Sequence, residues 1–385
     1  MKKIAVITAT RAEYGLLSPL MRKIEEDEYF ELDLIVTGGH LSAKQGYTID
    51  AIREDGFLIT HEIPILEDND TPYDVSLTMA NAIKGFAKCF RDDRPDMAVI
   101  LGDRTEMLGV ASAAVNEGIP IVHISGGEVT MGAVDDWVRH ALTKMSYLHF
   151  TSTDIYRRRV IQLGENPGRV FNVGALAVEN ILNQRLLSEK ELRLDLGIPT
   201  DMPYAVVTFH PVTLERESLE GQIMELYQAM DVKSEYFYVI TGANTDTGGD
   251  RINRILKIFT LEHDNAVMVT SLGTQRYLSA LKYAAFVLGN SSSGITEAPI
   301  LGTPTVNVGD RQKGRELSDT ILCCCCSKDE IVAAMERVKG VLRKGTHIFG
   351  DGGTSGKIAA IIKDHFTDGE IDLKKEFYDY RQDGF

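Results

Sequence analysis

The sequence predicts an α/β protein built as two doubly wound parallel-sheet domains. Three observations lead there. Short apolar runs alternate with longer amphipathic stretches along almost the whole chain. The runs are continuous, as in strands buried on both faces of a parallel sheet. The pattern restarts near residue 204 of 385, a length that suits two domains at roughly 100–200 residues each.

In the first half, runs at 4–8, 32–37, 97–101, 120–124, 148–151 and 170–173 predict strands. Helical spacing falls between them at 14–26, 48–55, 75–91, 104–116, 136–144 and 155–163. The second half repeats the alternation, with strands at 205–209, 236–241, 267–270, 286–288, 305–308 and 321–325. Its helices are expected at 214–230, 250–262, 274–284, 294–301 and 328–341. Residues 177–203, with a helix-like 188–196 and then Gly197-Ile198-Pro199, read as the connector. A last helix is expected at 357–365, and the pattern does not place 367–385. The domains are therefore expected at 1–176 and 177–359, with the tail from about 360 to 385 packing back on the first.

Composition removes several classes of function. No apolar run reaches the roughly 18–20 residues that span a bilayer. The N-terminal apolar run stops at Thr8 and is followed by Arg11 and Glu13 without a cleavage pattern, so it reads as a first strand. A net charge of −15 argues against a nucleic-acid surface but leaves room for a small anion held by a few arginines and helix N-termini. Four of the five cysteines are consecutive, Cys323 to Cys326, which is no disulfide framework and points to a reducing compartment. Adjacent strand residues face opposite ways and cannot close a tetrahedron, so the run reads as small hydrophobes rather than a metal site.

Ligands of parallel sheets bind beyond the carboxyl ends of the strands. Two such sheets suggest one cleft between domains, and polar residues just after each strand are the candidates. Arg11 follows the first strand at a turn into a helix, where a guanidinium and a helix N-terminus can share an anion. Asp103 falls at an N-cap position. After the next strand comes His123-Ile124-Ser125-Gly126-Gly127-Glu128, whose glycines permit close approach or positive φ, and from which His123 and Glu128 could reach the cleft. Asp135 or Asp136 can cap the following helix, and Asp136, Arg139 and His140 share one of its faces. Carboxylates crowded this way have their pKa values pushed apart, which an acid/base pair requires.

In the second half His210 follows a strand. Gly289-Asn290-Ser291-Ser292-Ser293-Gly294 opens an expected helix with small residues, which suits a diphosphate, and Glu297 lies where it could accept from ribose hydroxyls. Arg311, Lys313 and Arg315 add basic donors on a neighbouring loop. There is no GxGxxG, and the P-loop-like Gly352-Gly353-Thr354-Ser355-Gly356-Lys357 lacks its Ser/Thr because Ile358 follows. No zincin, nucleophile-elbow or spaced Cys/His pattern occurs, so no metal and no cofactor are expected.

Taken in order, Gly102-Asp103-Arg104, His123 to Glu128, Asp135-Asp136-x-x-Arg139-His140-Ala141-x-Thr143-Lys144, His210-Pro211-Val212-Thr213, Gly289 to Ser292, Gly302-Thr303-Pro304 and Arg311-Gln312-x-Gly314-Arg315-Glu316 resemble the UDP-N-acetylglucosamine 2-epimerases. The hydrolysing branch, which serves sialic-acid and legionaminic-acid synthesis, fits best. The resemblance runs from Arg11 to the Gly350-Asp351-Gly352 turn. It implies a GT-B-like fold of two Rossmann-like domains, with UDP held by the C-terminal one and an interdomain active-site cleft. It implies removal of the C2 proton, loss of UDP to give a glycal, and addition of water to release the 2-epimer. Asp103, Asp135 or Asp136, and His210 would be catalytic, with Arg139 near the sugar. Arg11, Asn244, Ser291, Ser292, Glu297 and Arg311 match nucleotide contacts. A cytoplasmic homodimer or homotetramer is implied.

One position departs from that pattern. Many relatives carry a catalytic glutamate two residues after the equivalent of His123, and here Ser125 stands there. Either Glu128 or an aspartate takes its task, or the substrate differs, with a 2,4-diacetamido sugar favoured because its second acetamido group needs room.

Overall fold

The computed structural model describes residues 1–67, 69, 71–130, 133–211, 219–243, 249–270, 272–346, 348–369 and 371–379. Two units carry two separate parallel sheets. The first sheet comprises β1 Lys2–Thr8, β2 Phe30–Thr37, β3 Ile59–Ile63, β4 Met97–Leu101, β5 Ile121–Ile124, β6 Leu148–Thr151 and β7 Val170–Asn172. They lie in the order β3-β2-β1-β4-β5-β6-β7, so the chain winds outward one way and then the other. Its helices are α1 Arg11–Glu25, α2 Ile49–Glu54, α3 Pro72–Asp92, α4 Thr105–Asn116, α5 Val134–Met145, α6 Asp154–Gln162 and α7 Leu176–Asn183.

Local chemistry starts these helices. Thr10 with Glu13, and Thr71 with Asp74, form capping boxes, each satisfying two orphan backbone donors. The inner strands have the buried, unalternating faces that the sequence anticipates. The strand missing from the sequence reading, β3, is the sheet edge: Ile-Thr-His-Glu-Ile exposes every second residue and so carries no apolar run.

The second sheet has the order β10-β9-β8-β11-β12-β13. Helix α8 Glu189–Leu196 precedes β8 Tyr204–Thr208, followed by α9 Leu219–Val232, β9 Phe237–Thr241, α10 Gly249–Glu262, β10 Ala266–Val269 and α11 Gly273–Tyr283. Then come β11 Phe286–Gly289, α12 Glu297–Ile300, β12 Thr305–Val308, β13 Ile321–Cys324 and α13 Lys328–Arg337. The helix expected at 294–301 is a correction. A short 3₁₀ turn, Ser292–Gly294, precedes a four-residue α12, and Pro299 inside it cannot extend the ladder.

The chain finally returns to the first unit through α14 Thr354–Thr367. Ile358 and Ile362 pack in the same core as Leu17 and Ile24, and Lys363 pairs with Asp27 at 2.8 Å. The first unit comprises Met1–Glu128, Asp135–Asn180 and Gly350–Phe385; the second comprises Val129–Val134 and Ile181–Phe349. These boundaries differ from 176 and 359 because α7 belongs in part to the first unit: the Glu179 carboxylate accepts from Ser355 N (2.7 Å) and Oγ (2.6 Å), capping α14. Along 323–326 the cysteines alternate exposed and half-buried, as a strand requires. Among the described residues no helix is long and apolar enough to cross a membrane.

Candidate active site

In the first unit the polar groups gather around one buried cation. Helix α5 carries Asp136, Arg139 and His140 on one face, with Arg139 Nη1 3.5 Å from Asp136 Oδ1 and His140 Nε2 3.6 Å from Asp136 Oδ2. The Arg139 side chain is 3% exposed. Its Nη2 donates to Asp103 Oδ2, and its Nη1 donates to the Glu128 carbonyl at 3.0 Å. A planar guanidinium can serve several acceptors in fixed directions, which an ammonium cannot. Arg139 thus fixes three positions from three strand-end loops and neutralises the crowd of carboxylates.

Several expected roles change here. Asp103 is not an N-cap; Arg104 occupies that position without a side-chain cap, and Asp103 is drawn to Arg139 instead. Asp135 and Asp136 lie inside the first turn of α5, which begins at Val134, so neither caps it. Both are half-buried there. His123 does not line an opening. It is fully buried, with Nε2 2.7 Å from the Gly102 carbonyl and Nδ1 3.2 Å from Thr143 Oγ1. A carbonyl only accepts, so the ring proton is on Nε2. Burial pushes this imidazole down to about 4, leaving it neutral. It positions the Gly102-Asp103 turn.

The loop after β5 is tightly specified. Ser125 adopts φ +67°, a left-handed conformation uncommon for serine, while its N–H donates to Phe150 O at 2.9 Å. A Cβ at Gly127 would lie 2.3 Å from the Tyr156 carbonyl oxygen, so only glycine fits. Glu128 Oε1 accepts from Ser152 Oγ at 3.3 Å. Arg11 is the exposed first residue of α1, at the expected strand-to-helix turn.

Glu13 was not among the expected site residues. Its carboxylate accepts from Ala9 N (2.9 Å) and Thr10 N (3.0 Å). Burial raises it to about 7, opposed by Arg104 and aided by Glu106. The Thr10-x-x-Glu13 capping spacing was the signal that could have found it.

In the second unit the organising residue is Asn290, 1% exposed, just past β11. Its Oδ1 accepts from His210 N at 2.7 Å and its Nδ2 donates to His210 O at 2.8 Å. Its own carbonyl accepts from Gln312 Nε2 (2.8 Å) and Arg311 Nη1 (3.3 Å). The strand-end loops bearing His210, the serine turn and the basic residues therefore meet at one asparagine. Burial, reinforced by Arg311, pushes the His210 imidazole down to about 3.

The three serines do different things. Ser291 Oγ accepts from Ser293 N at 3.3 Å, and Ser293 is buried, engaged by Tyr277 Oη at 2.8 Å. Ser293 therefore serves the fold, leaving half-buried Ser291 and Ser292 on the outer side of the turn. Glu297 begins α12 and accepts from Thr296 Oγ1 at 2.7 Å, rather than lying one turn into a longer helix. Arg315 Nε donates to Val129 O at 3.3 Å. Asn244 and the motif residues Val212 and Thr213 lie outside the described residues.

Strand-end loops around a buried guanidinium in one doubly wound unit, and a serine turn beside arginines in the other, are the equipment of a nucleotide-sugar enzyme. Comparison with known sequences is more particular. The family described as UDP-N-acetylglucosamine 2-epimerase matches residues 22–363, and the chain belongs to it.

It is 43% identical to the GDP/UDP-N,N'-diacetylbacillosamine 2-epimerase (hydrolyzing) of Campylobacter jejuni, over 83% of this chain and 84% of that one. It is 38% identical to the polysialic acid biosynthesis protein P7 of Escherichia coli, over 98% of each. Among solved structures, the Methanocaldococcus jannaschii UDP-GlcNAc 2-epimerase, in complex with UDP-GlcNAc and UDP, superposes with a TM-score of 0.80. That match is at 20% identity and covers 94% of this chain and 99% of that one. It establishes the GT-B-like fold.

Proposed function

We propose that this enzyme is a hydrolysing 2-epimerase of a UDP-linked 2-acetamido sugar, and that its preferred sugar carries a second acetamido group at C4. The observation that carries the reading is the Arg139-centred set of carboxylates. A carboxylate removes the weakly acidic C2 proton while the C1–O bond to UDP breaks, leaving a C1–C2 double bond. Water then adds its hydroxyl to C1 and a proton returns to C2 on the opposite face, releasing the free 2-epimer and UDP. A positioned base typically contributes roughly 10²–10⁴-fold.

Asp103, Glu128, Asp135 and Asp136 are the carboxylates assigned to these proton transfers, with Asp103 and Asp136 oriented by Arg139. His210, neutral at physiological pH, supplies a hydrogen bond rather than a charge. Backbone N–H groups at the Ser291–Ser292 turn and Arg311 stabilise the departing diphosphate, so no metal is required for its departure.

The second acetamido group is supported by Ser125. A small side chain in a left-handed backbone stands where many relatives place a longer acid, and the Campylobacter relative bears a diacetylated substrate in its name. NMR of the reaction in D₂O with UDP-N-acetylglucosamine and with UDP-2,4-diacetamido-2,4,6-trideoxyglucose tests both parts. Free UDP, deuterium at C2 and faster turnover of the diacetamido sugar are expected. Intact substrate in both tubes, or sugar transfer without deuterium, overturns the reaction. Faster turnover of UDP-N-acetylglucosamine overturns the substrate.

A further inference from the structure

Away from the strand ends, in the first half of β2, the sheet carries a cluster that the epimerase chemistry does not use. Asp33 is on β2, His61 on the edge strand β3, and Asp93 caps the end of α3. His61 Nε2 is 3.0 Å from Asp93 Oδ2 and 3.8 Å from Asp33 Oδ1. One ligand atom from each residue falls within a 4.8 Å sphere of separations. The Asp33 side chain is 1% exposed, yet its Oδ2 has no hydrogen-bond partner among the described residues. An orphaned buried carboxylate oxygen is costly and needs an explanation.

The backbone is bent to make this cluster. The β2–β3 register pairs Leu34 with Ile59 but Ile35 with His61, so Thr60 is an extra residue, a β-bulge. Without it His61 would pair with Val36 and face away from Asp33. With it, His61 shares the face of Asp33 and Ile35, the face on which α3 packs. Thr60 meanwhile holds Asp33 Oδ1 and the Leu34 carbonyl.

The surrounding charge is also telling. Lys3 Nζ is 2.5 Å from Asp93 Oδ1, the oxygen turned away from His61, and 3.7 Å from Glu31. Three carboxylates, one ammonium and a neutral imidazole leave a local charge of about −2, matching a divalent cation.

We propose that Asp33, His61 and Asp93 bind a divalent transition-metal ion of the zinc class. Two carboxylate oxygens and one imidazole nitrogen suit such an ion, and the imidazole disfavours magnesium or calcium. Zinc–ligand bonds of about 2.0–2.2 Å put tetrahedral ligands roughly 3.3 Å apart, within a small side-chain rotation of the spacings here. His61 and Asp93 are partly exposed, which gives the ion an entry path, and water completes the coordination. The ion joins the edge strand to the end of α3 and satisfies Asp33 Oδ2.

The test is zinc uptake by chelator-stripped, full-length protein, measured by equilibrium dialysis with metal analysis and by thermal melting. One zinc per chain and a raised Tm are expected. His61→Gln and Asp93→Asn should each weaken uptake by at least the ~10–100-fold seen when a metal site's outer partners are lost. A Cys323→Ser/Cys325→Ser variant should bind like the parent. No uptake by the parent, uptake unchanged in both ligand variants, or loss confined to the cysteine variant overturns the proposal. Cobalt offers a readout independent of variant stability: an imidazole–carboxylate site gives visible absorption without a thiolate charge-transfer band, and that band in the parent would equally overturn it.

Discussion

Arg139 is the residue on which the first unit's chemistry turns. Because its partners are largely buried, removing it leaves uncompensated carboxylates, and breaking such a pair costs about 3–5 kcal/mol. Arg139→Ala should lower the urea midpoint accordingly and reduce kcat by about 10²-fold or more through lost orientation. Arg139→Lys should recover part of the stability and little of the activity, since an ammonium lacks the planar fork; equilibrium unfolding and steady-state UDP release read the two apart. Ser125 makes the opposite prediction. A non-glycine residue in the left-handed region costs about 1–2 kcal/mol, partly offset by glycine's greater unfolded entropy, so Ser125→Gly should raise stability by up to ~1 kcal/mol. If the hydroxyl meets the sugar, kcat/KM falls while Tm rises. Which residues belong to the site was legible because strand-end loops are readable as such. What each does was not: Asp103 reads as a cap and His123 as a cleft residue until the tertiary contacts to Arg139 and Gly102 are known.

At the scale of elements, the inner strands were legible because burial on both faces writes an unbroken apolar run. The edge strand β3 writes an alternating one and was missed. The serine-turn helix was overextended because small residues before an apolar stretch look like a helix start, while Pro299 acts only once the backbone geometry is fixed. The second sheet supplies a sharp prediction. Gly289 has φ +135°, and a Cβ there would sit 1.9 Å from the Thr208 carbonyl oxygen on β8. Gly289→Ala should therefore destabilise the second unit by about 3 kcal/mol or more, measured as a shift in urea midpoint. It should also displace Asn290, and with it His210 and Arg311, so UDP affinity should fall.

For the molecule as a whole, acid stability follows from buried imidazoles. His40 and His123 are pushed by burial down to about 4 and His210 to about 3, from an ordinary 6.5. Between those values the unfolded chain binds protons that the folded chain refuses, so stability is lost as pH falls below 6.5. Glu13, raised by burial from 4.5 to about 7, acts oppositely: its contribution is lost as pH rises through that window. Three histidines outweigh one glutamate, so near pH 5.5 the net difference is about two protons, a slope of roughly 2–3 kcal/mol per pH unit. Denaturant midpoints measured from pH 5 to 7 should climb steeply; a flat profile would contradict buried, neutral histidines. Two domains were legible in the restart near residue 204, but the return of α14 was not, because its apolar face says only that it packs, not on which sheet.

That return has a consequence for how the molecule is made. Residues 181–349 are synthesised without interruption, whereas the first unit needs Ile358 and Ile362 to complete the core begun by Leu17 and Ile24. A ribosome adding about 5–20 residues per second reaches them last. The unit that bears the carboxylates can close only when translation is nearly over, so a nascent or prematurely stopped chain holds a half-built core. A chain ending at residue 353 should show its first unit cut early by limiting protease while residues 181–349 persist.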